Sequence, residues 1–288
     1  RSKELYVDSN LQDYSGHDGS DWTKAFKTIQ EAVTAADGSP TWIRVKGGTY
    51  AEGEGIDGSL GKARVLVNNG NAAILVEGVD GAANTTIVGD DDHRCMILQG
   101  NKVGVAGFTF KGGKGSDYGG GVYAGNAYPT VQDCRFTECK AGKNSAATCG
   151  GTFVRCLFDR NSAPAGMSRG GYSVGCIYCN NAVTASRQPL SMYSGHKGFN
   201  CTIYDANAGV NLVVNSDTDL INVVLAAGGN LAESTAVLAG NVVSPYGLVS
   251  HAAFREDQFW FVEPVLADPP FAVRLVACDA LGVHLVLA

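Results

Sequence analysis

The chain of 288 residues has little charge, no excess of basic residues and no long apolar run. Charged side chains make up only 17% of it, and 22 Lys and Arg against 28 Asp and Glu give a net charge of −6. This balance disfavours general binding to nucleic acid, which depends on a basic surface. No uncharged apolar run reaches the roughly 18 residues that a membrane helix needs, so we expect no membrane span.

Helical periodicity is confined to one short segment near the N-terminus. Trp22, Phe26, Ile29 and Val33 recur at helical spacing and predict one amphipathic helix over Asp21–Ala36. We expect residues 1–40 to form an N-terminal cap around it. From Thr41 onward the chain consists of short β-rich runs separated by Gly, Asn and Ser, which argues against a doubly wound α/β sheet.

A four-residue string recurs along the middle of the chain. It reads GFTF at 107–110, DCRF at 133–136, RCLF at 155–158, GCIY at 175–178, NCTI at 200–203 and NVVL at 222–225. The intervals are 26, 22, 20, 25 and 22 residues, with a mean of 23. A period of this size predicts a solenoid in which each coil stacks on the next.

Two positions of the repeated string are candidates for the core. The second position holds Phe108, Cys134, Cys156, Cys176, Cys201 and Val223, and the fourth holds Phe110, Phe136, Phe158, Tyr178, Ile203 and Leu225. Residues two apart in a strand point the same way, so both columns are predicted to face inward. The nine cysteines cannot all pair within the chain. Cys139, Cys149 and Cys179 lie outside the column formed by the second position of the string, and they could form disulfides if the protein is exported.

These repeated units, with the opening LYVDSN and IRVKGGTY segments, resemble the right-handed parallel β-helix family, which is pectate-lyase-like and includes secreted or surface-anchored bacterial proteins. The resemblance implies an all-β solenoid of about 23 residues per coil with an N-terminal helical cap. Coils are expected over residues 41–250. Residues 251–288 would then be a C-terminal cap or a docking segment for a partner chain or a second copy. The chain begins with Arg1, so an upstream signal segment is an open expectation.

The same scaffold carries lyases, hydrolases, adhesins and phage-fibre modules. The first expectation is therefore an extracellular protein that binds or cleaves an acidic polysaccharide, by β-elimination if it is an enzyme. The alternative is a non-catalytic surface, adhesin or fibre module. Hydrolysis would need two carboxylates across one cleft, for which Asp133 with Asp159, or Glu138 with Asp205, are the candidates.

Outward positions of the coils supply candidate substrate-binding residues. Glu138, Arg160, Asn180 and Asp205 share one offset in successive coils, and Asp133 and Arg155 share another. Such rows suit either a sugar-binding groove or a solvated ladder of charges and amides. β-Elimination also needs a group that neutralises the uronate and a base that removes a proton. The catalytic candidates are Arg160, Arg169, Tyr172, His196 and Lys197, with Arg169, His196 and Lys197 expected in loops.

The densest charge cluster is Asp90, Asp91 and Asp92 in a turn. The lyase resemblance implies that it binds Ca²⁺ through carboxylate oxygens. The alternative is an exposed acidic turn, because three consecutive carboxylates cannot all point at one ion.

Overall fold

A computed structural model describes residues 2–183 apart from 69, 144 and 165, residues 192–193 and 197–205, and beyond them only the backbone of the strands given below. Four sheets hold the described strands up to residue 239, and these strands pair in parallel except for the first two of sheet C. Sheet A is formed by Lys3–Val7, Thr41–Val45, Ile74–Gly78, Val103–Ala106, Thr130–Gln132, Thr152–Val154, Tyr172–Val174, Lys197–Phe199, Asp219–Ile221 and Val237–Ala239. Sheet B is formed by Gly48–Tyr50, Thr85–Val88, Thr109–Lys111, Arg135–Thr137, Leu157–Asp159, Ile177–Cys179, Thr202–Asp205 and Val224–Ala227.

Sheets C and D complete the coils. Sheet C is formed by Gly55–Asp57, Gly61–Asn68, His93–Gln99, Val122–Tyr123, Thr148–Cys149, Ser168–Arg169 and Met192–Tyr193, and sheet D by Lys114–Gly115, Lys140–Ala141, Ser162–Ala163 and Ala182–Val183. Gln258–Pro264, Val273–Asp279 and Gly282–Val286 form a separate antiparallel sheet of three strands. That sheet lies in the segment predicted to be a cap or docking region, a role that stays a prediction.

The four described coils from Val103 to Tyr193 pass through sheets A, B, D and C in that order, and the two coils before them pass from sheet B to sheet C without a strand in sheet D. Stacked coils of this kind are the architecture of a parallel β-helix. The predicted register is confirmed, because neighbouring strands of sheet B pair Phe110 with Phe136, Phe136 with Phe158, and Phe158 with Tyr178. One part of the coil has constant length. From Val105 to Lys114 the chain advances nine residues from sheet A to sheet D, and the next three coils repeat this interval, at 131–140, 153–162 and 173–182.

Both predicted columns lie in the core, together with apolar side chains from sheets A and C. The aromatic column stacks face to face, with ring centroids 4.8 Å apart for Phe110 and Phe136, 4.7 Å for Phe136 and Phe158, and 4.4 Å for Phe158 and Tyr178. The cysteine column is buried as well, but it lies at the corner between sheets A and B rather than within a strand. Stacked rings contribute packing energy beyond the area that they bury.

A third inward column binds the backbone of neighbouring coils. The Asn161 and Asn181 side chains are buried, and their Nδ2 atoms donate to the carbonyls of Phe136 and Phe158. The Asn181 Oδ1 also accepts from the Asn161 backbone N–H at 2.9 Å. Buried amides with all these partners fix each coil relative to the next.

The predicted helix over Asp21–Ala36 is wrong in its first half. The α-helix is Ile29–Ala35, and Trp22–Lys24 forms only a 3₁₀ turn. Thr28 and Glu31 form a capping box, in which each side chain accepts from the backbone N–H of the other, so the helix begins after Thr28. The helix buries Ile29, Ala32 and Val33, and it packs against Lys3–Val7 and Thr41–Val45 of sheet A and Gly61–Asn68 of sheet C.

All eight cysteines in the described part of the chain are unpaired, including Cys139, Cys149 and Cys179. No helix among the described residues is long and apolar enough to cross a membrane.

Candidate functional site

A groove of about 650 Å³ lies over the outer face of sheet B. Its floor carries Thr86, Thr109, Leu157 and Ile177, whose strands, together with that of Arg135, are five neighbours in the sheet. Neighbouring strands are about 4.8 Å apart, so the groove extends roughly 19 Å along the stack of coils. An extended chain molecule fits this shape better than a compact one.

Two turns per coil border the groove, and each turns through a single residue with positive φ. Gly107, Asp133, Arg155, Gly175 and Asn200 take this position between sheets A and B, and Gly112, Glu138, Arg160 and Asn180 take it between sheets B and D. Gly and Asn adopt this left-handed conformation readily, whereas Arg and Glu adopt it at a cost. The coils that border the groove therefore hold charged side chains where backbone preference favours Gly or Asn.

Basic side chains outnumber acidic ones around the groove. Lys111, Arg135, Arg155 and Arg160 line it together with Asp133 and Glu138. The protein as a whole carries a net charge of −6. This local excess of positive charge attracts anions to one face of an acidic protein.

Two arginine–aspartate pairs hold part of this charge in fixed geometry. Both are bidentate: Arg155 donates to Asp133 at 2.7 Å from each of two nitrogens, and Arg135 donates to Asp159 at 2.7 and 2.8 Å. The hydrogen bonds from Arg155 lower the pKa of Asp133, and those to Asp159 raise the pKa of Arg135. The pairs differ in burial, since the Asp133 side chain is 48% exposed and the Asp159 side chain only 8%.

The third carboxylate in this region is held less tightly. Glu138 Oε2 lies 3.6 Å from Lys111 Nζ, and Glu138 Oε1 lies 3.7 Å from Arg160 Nη2. Both distances are longer than a hydrogen bond. Arg160 also reaches Asp159, with its Nε 3.1 Å from Oδ2, and donates to the Thr137 hydroxyl.

Four of the residues predicted from the sequence line this groove: Asp133, Glu138, Arg155 and Arg160. Asn180 takes the same turn position as Glu138 and Arg160, farther along the stack. Asp205 ends a strand of sheet B, and its side chain lies outside the described residues. Asp133 and Asp159, the carboxylates considered for hydrolysis, are both in this region but are each bound by a different arginine.

The other predicted catalytic residues lie on other faces of the coil. Arg169 is in sheet C, with its guanidinium 4.4 Å from the centre of the Tyr118 ring. Tyr172 and Lys197 pair in register in sheet A, and the Tyr172 ring is 5.9 Å from that of Tyr128. The expectation of loops is wrong for Arg169 and Lys197, which are in strands. His196 lies outside the described residues.

The acidic turn does not offer a calcium site. Asp90 pairs with Arg64 and His93, Asp91 lies near Lys114, and Asp92 near Lys62. The three carboxylates therefore point toward different cations. No group of three His, Cys, Asp or Glu side chains in the described part of the chain is placed to hold a metal ion, so the residues present do not fit Ca²⁺.

Lys111 and Arg135 were not among the residues predicted from the sequence. Lys111 directly follows Phe110 and is paired with Thr137 in the next coil, and Arg135 directly precedes Phe136 and is paired with Thr109, so both lie at outward positions beside the aromatic column. Comparing every outward offset of the repeated string, rather than only the turn positions, would have found them.

No protein-family profile matches the chain, and no curated protein matches its sequence. Solved structures of pectin methylesterases share its architecture. The pectin methylesterase from Aspergillus niger has a TM-score of 0.51 at 14% identity, over 88% of this chain and 92% of the esterase. Pectin methylesterase from carrot has the same TM-score and identity, over 90% of this chain and 88% of the carrot enzyme. At this identity the likeness concerns the fold, and this chain is a parallel β-helix protein.

Proposed function

We propose that the protein binds an acidic polysaccharide, outside the cell, with the polymer lying in the groove along the stack of coils. The observation that carries this proposal is the set of four basic side chains in a roughly 19 Å groove on an otherwise acidic protein. Guanidinium and ammonium groups pair with carboxylates and sulfates. The elongated groove supports a polymer rather than a single sugar.

The mixture of polar and apolar side chains on the floor of the groove favours a sugar as the ligand. Thr86 and Thr109 place short polar side chains at one end of the floor and the apolar Leu157 and Ile177 lie at the other, with Arg135 between them, and Ile177 is 47% exposed. A pyranose ring has hydroxyl groups at its edge and C–H groups on its faces, so it can use both kinds of surface. Two solved structures of like architecture, those from Aspergillus niger and carrot, are named as pectin methylesterases, and pectin is an acidic polysaccharide.

Cleavage by β-elimination is the finer proposal, and Arg160 is the candidate base or carboxylate-neutralising group in the groove. Arg160 alone, among the catalytic candidates that the structure describes, lines it. The second candidate function is a non-catalytic binding or surface module. The ion pair of Asp133 with Arg155 favours that alternative, because the hydrogen bonds from Arg155 lower the pKa of Asp133 and make it a weaker base.

The binding proposal is tested by calorimetry with polygalacturonate, alginate and a neutral dextran at low and high salt. We expect the wild type to bind at least one polyanion, more weakly as salt rises, and not to bind dextran. A variant with Lys111→Gln and Arg160→Gln should lose most of this affinity. The control carries Lys102→Gln and Lys143→Gln, which remove the same charge outside the groove. Equal losses in both variants, or no binding of any acidic polymer, would contradict the proposal.

Elimination is tested separately by the ultraviolet absorbance of unsaturated uronate products. A rise with the wild type and none with Arg160→Gln would assign the reaction to the groove. Binding without any rise would support the non-catalytic module.

A further inference from the structure

Three charged residues on consecutive coils form a bridge across one side of the groove. Lys111 ends a strand of sheet B, Glu138 is in the turn of the next coil, and Arg160 is in the same turn of the coil after that. Each Glu138 oxygen faces a different cation, at 3.6 and 3.7 Å. The three side chains are 47%, 45% and 55% exposed, in the same order.

This arrangement differs from the two bidentate pairs nearby. Asp133 and Asp159 each accept two hydrogen bonds of 2.7 to 2.8 Å from one arginine. Glu138 makes only longer contacts, and exposed pairs of this kind contribute little to stability. A carboxylate that arrives from solution could therefore replace Glu138 between Lys111 and Arg160 without breaking a strong interaction.

The backbone gives an independent reason to ask why Glu138 is there. It has a φ of 58°, in a turn position that Gly112 takes in the preceding coil and Asn180 takes farther along the stack. Local structure alone would favour one of those residues over Glu. A charged side chain at this position needs a purpose other than folding the turn.

We propose that Lys111 and Arg160 form a subsite for one sugar carboxylate, and that Glu138 occupies this subsite when no ligand is bound. The inference rests on the proposed function and identifies the groups that recognise the ligand's charge. When an acidic sugar binds, its carboxylate takes the position of the Glu138 carboxylate, which turns toward solvent. A neutral or esterified sugar cannot pair with the two cations and leaves Glu138 between them, so the two cations favour the acidic form of the polymer.

The test compares Glu138→Gln with Glu54→Gln by calorimetry. Glu54 is a matched control because its side chain is 40% exposed and pairs with Lys62 and His93, outside the residues that line the groove. Both variants remove one negative charge. We expect polygalacturonate to bind Glu138→Gln roughly fivefold more tightly than wild type, the factor for an exposed pair of about 1 kcal/mol. Glu54→Gln should change the affinity much less.

Fully methyl-esterified polygalacturonate is the second probe, because it has the same sugar without the charge. Its affinity should be the same for wild type and Glu138→Gln. Unchanged or weaker binding of the charged polymer by Glu138→Gln, with wild type binding it, would overturn this inference alone. If neither wild type nor Glu138→Gln binds an acidic polymer, both the inference and the proposed function fail.

Discussion

Burial should decide how much each arginine–aspartate pair of the groove contributes to stability. Asp159 and Asp133 accept the same bidentate pattern from Arg135 and Arg155, but Asp159 is 8% exposed and Asp133 is 48% exposed. Replacing each aspartate by asparagine keeps the shape and removes the charge. The two variants therefore compare one interaction in two environments within the same protein.

The expected loss in the free energy of unfolding depends on how many hydrogen bonds each aspartate accepts and on how exposed the paired side chains are. Asp159 accepts two hydrogen bonds from Arg135 and lies 3.1 Å from Arg160 Nε. Removing one partner of a fully buried pair costs about 3–5 kcal/mol. Because both arginines are partly exposed, water can solvate them once the carboxylate is removed. We therefore expect Asp159→Asn to lower the free energy of unfolding by about 2 kcal/mol. The exposed Asp133 pair should contribute less than about 1 kcal/mol.

Thermal unfolding followed by circular dichroism measures the difference. A loss of 2 kcal/mol corresponds to a melting temperature lower by about 4–8 °C for a domain of this general size, and Asp133→Asn should lower it by less than about 4 °C. Arg135→Lys keeps the charge and loses the bidentate geometry, so its melting temperature should lie between those of Asp159→Asn and Asp133→Asn. If Asp133→Asn lowers the melting temperature as much as Asp159→Asn, burial does not determine the strength of these pairs and the reasoning is refuted.

Two further predictions concern the core and the acidic turn. Cys156 and Cys176 are buried, so a thiol reagent should label them only after unfolding; rapid labelling of the native protein would show that the inward column is wrongly assigned. The carboxylates of the acidic turn face separate cations, so a chelator should leave the melting temperature unchanged. A decrease that Asp91→Ala abolishes would instead establish a calcium site there.

The inward columns could be predicted from the sequence because a stack of coils repeats its buried positions. Stacked positions such as Cys134 and Cys156, or Phe136 and Phe158, require side chains of similar size, and these recur at a fixed offset that the amino-acid sequence shows. The extent of the helix was harder, because Trp22 and Phe26 have helical spacing but Phe26 forms a bridge to Val7 in the sheet. The Thr28 and Glu31 capping pair was the local signal for the true start.

The site was only partly predictable for a geometric reason. Arg160 and Arg169 are close in sequence but lie on different sides of the coil, whereas Glu138 and Arg160, 22 residues apart, are neighbours. The turn offset therefore identified Asp133, Glu138, Arg155 and Arg160. Which cation each carboxylate meets depends on side-chain geometry across coils, and no spacing rule contains that information.

The constant nine-residue interval from sheet A to sheet D has a consequence for how such a protein can change over evolutionary time. The intervals of 26, 22 and 20 residues between successive coils differ only in the part that passes through sheet C. Insertions and deletions are therefore accommodated on the side away from the groove. The groove itself can lengthen only by duplication of a whole coil, about 4.8 Å at a time. The length of polymer recognised would then change in discrete steps, while the opposite side varies freely.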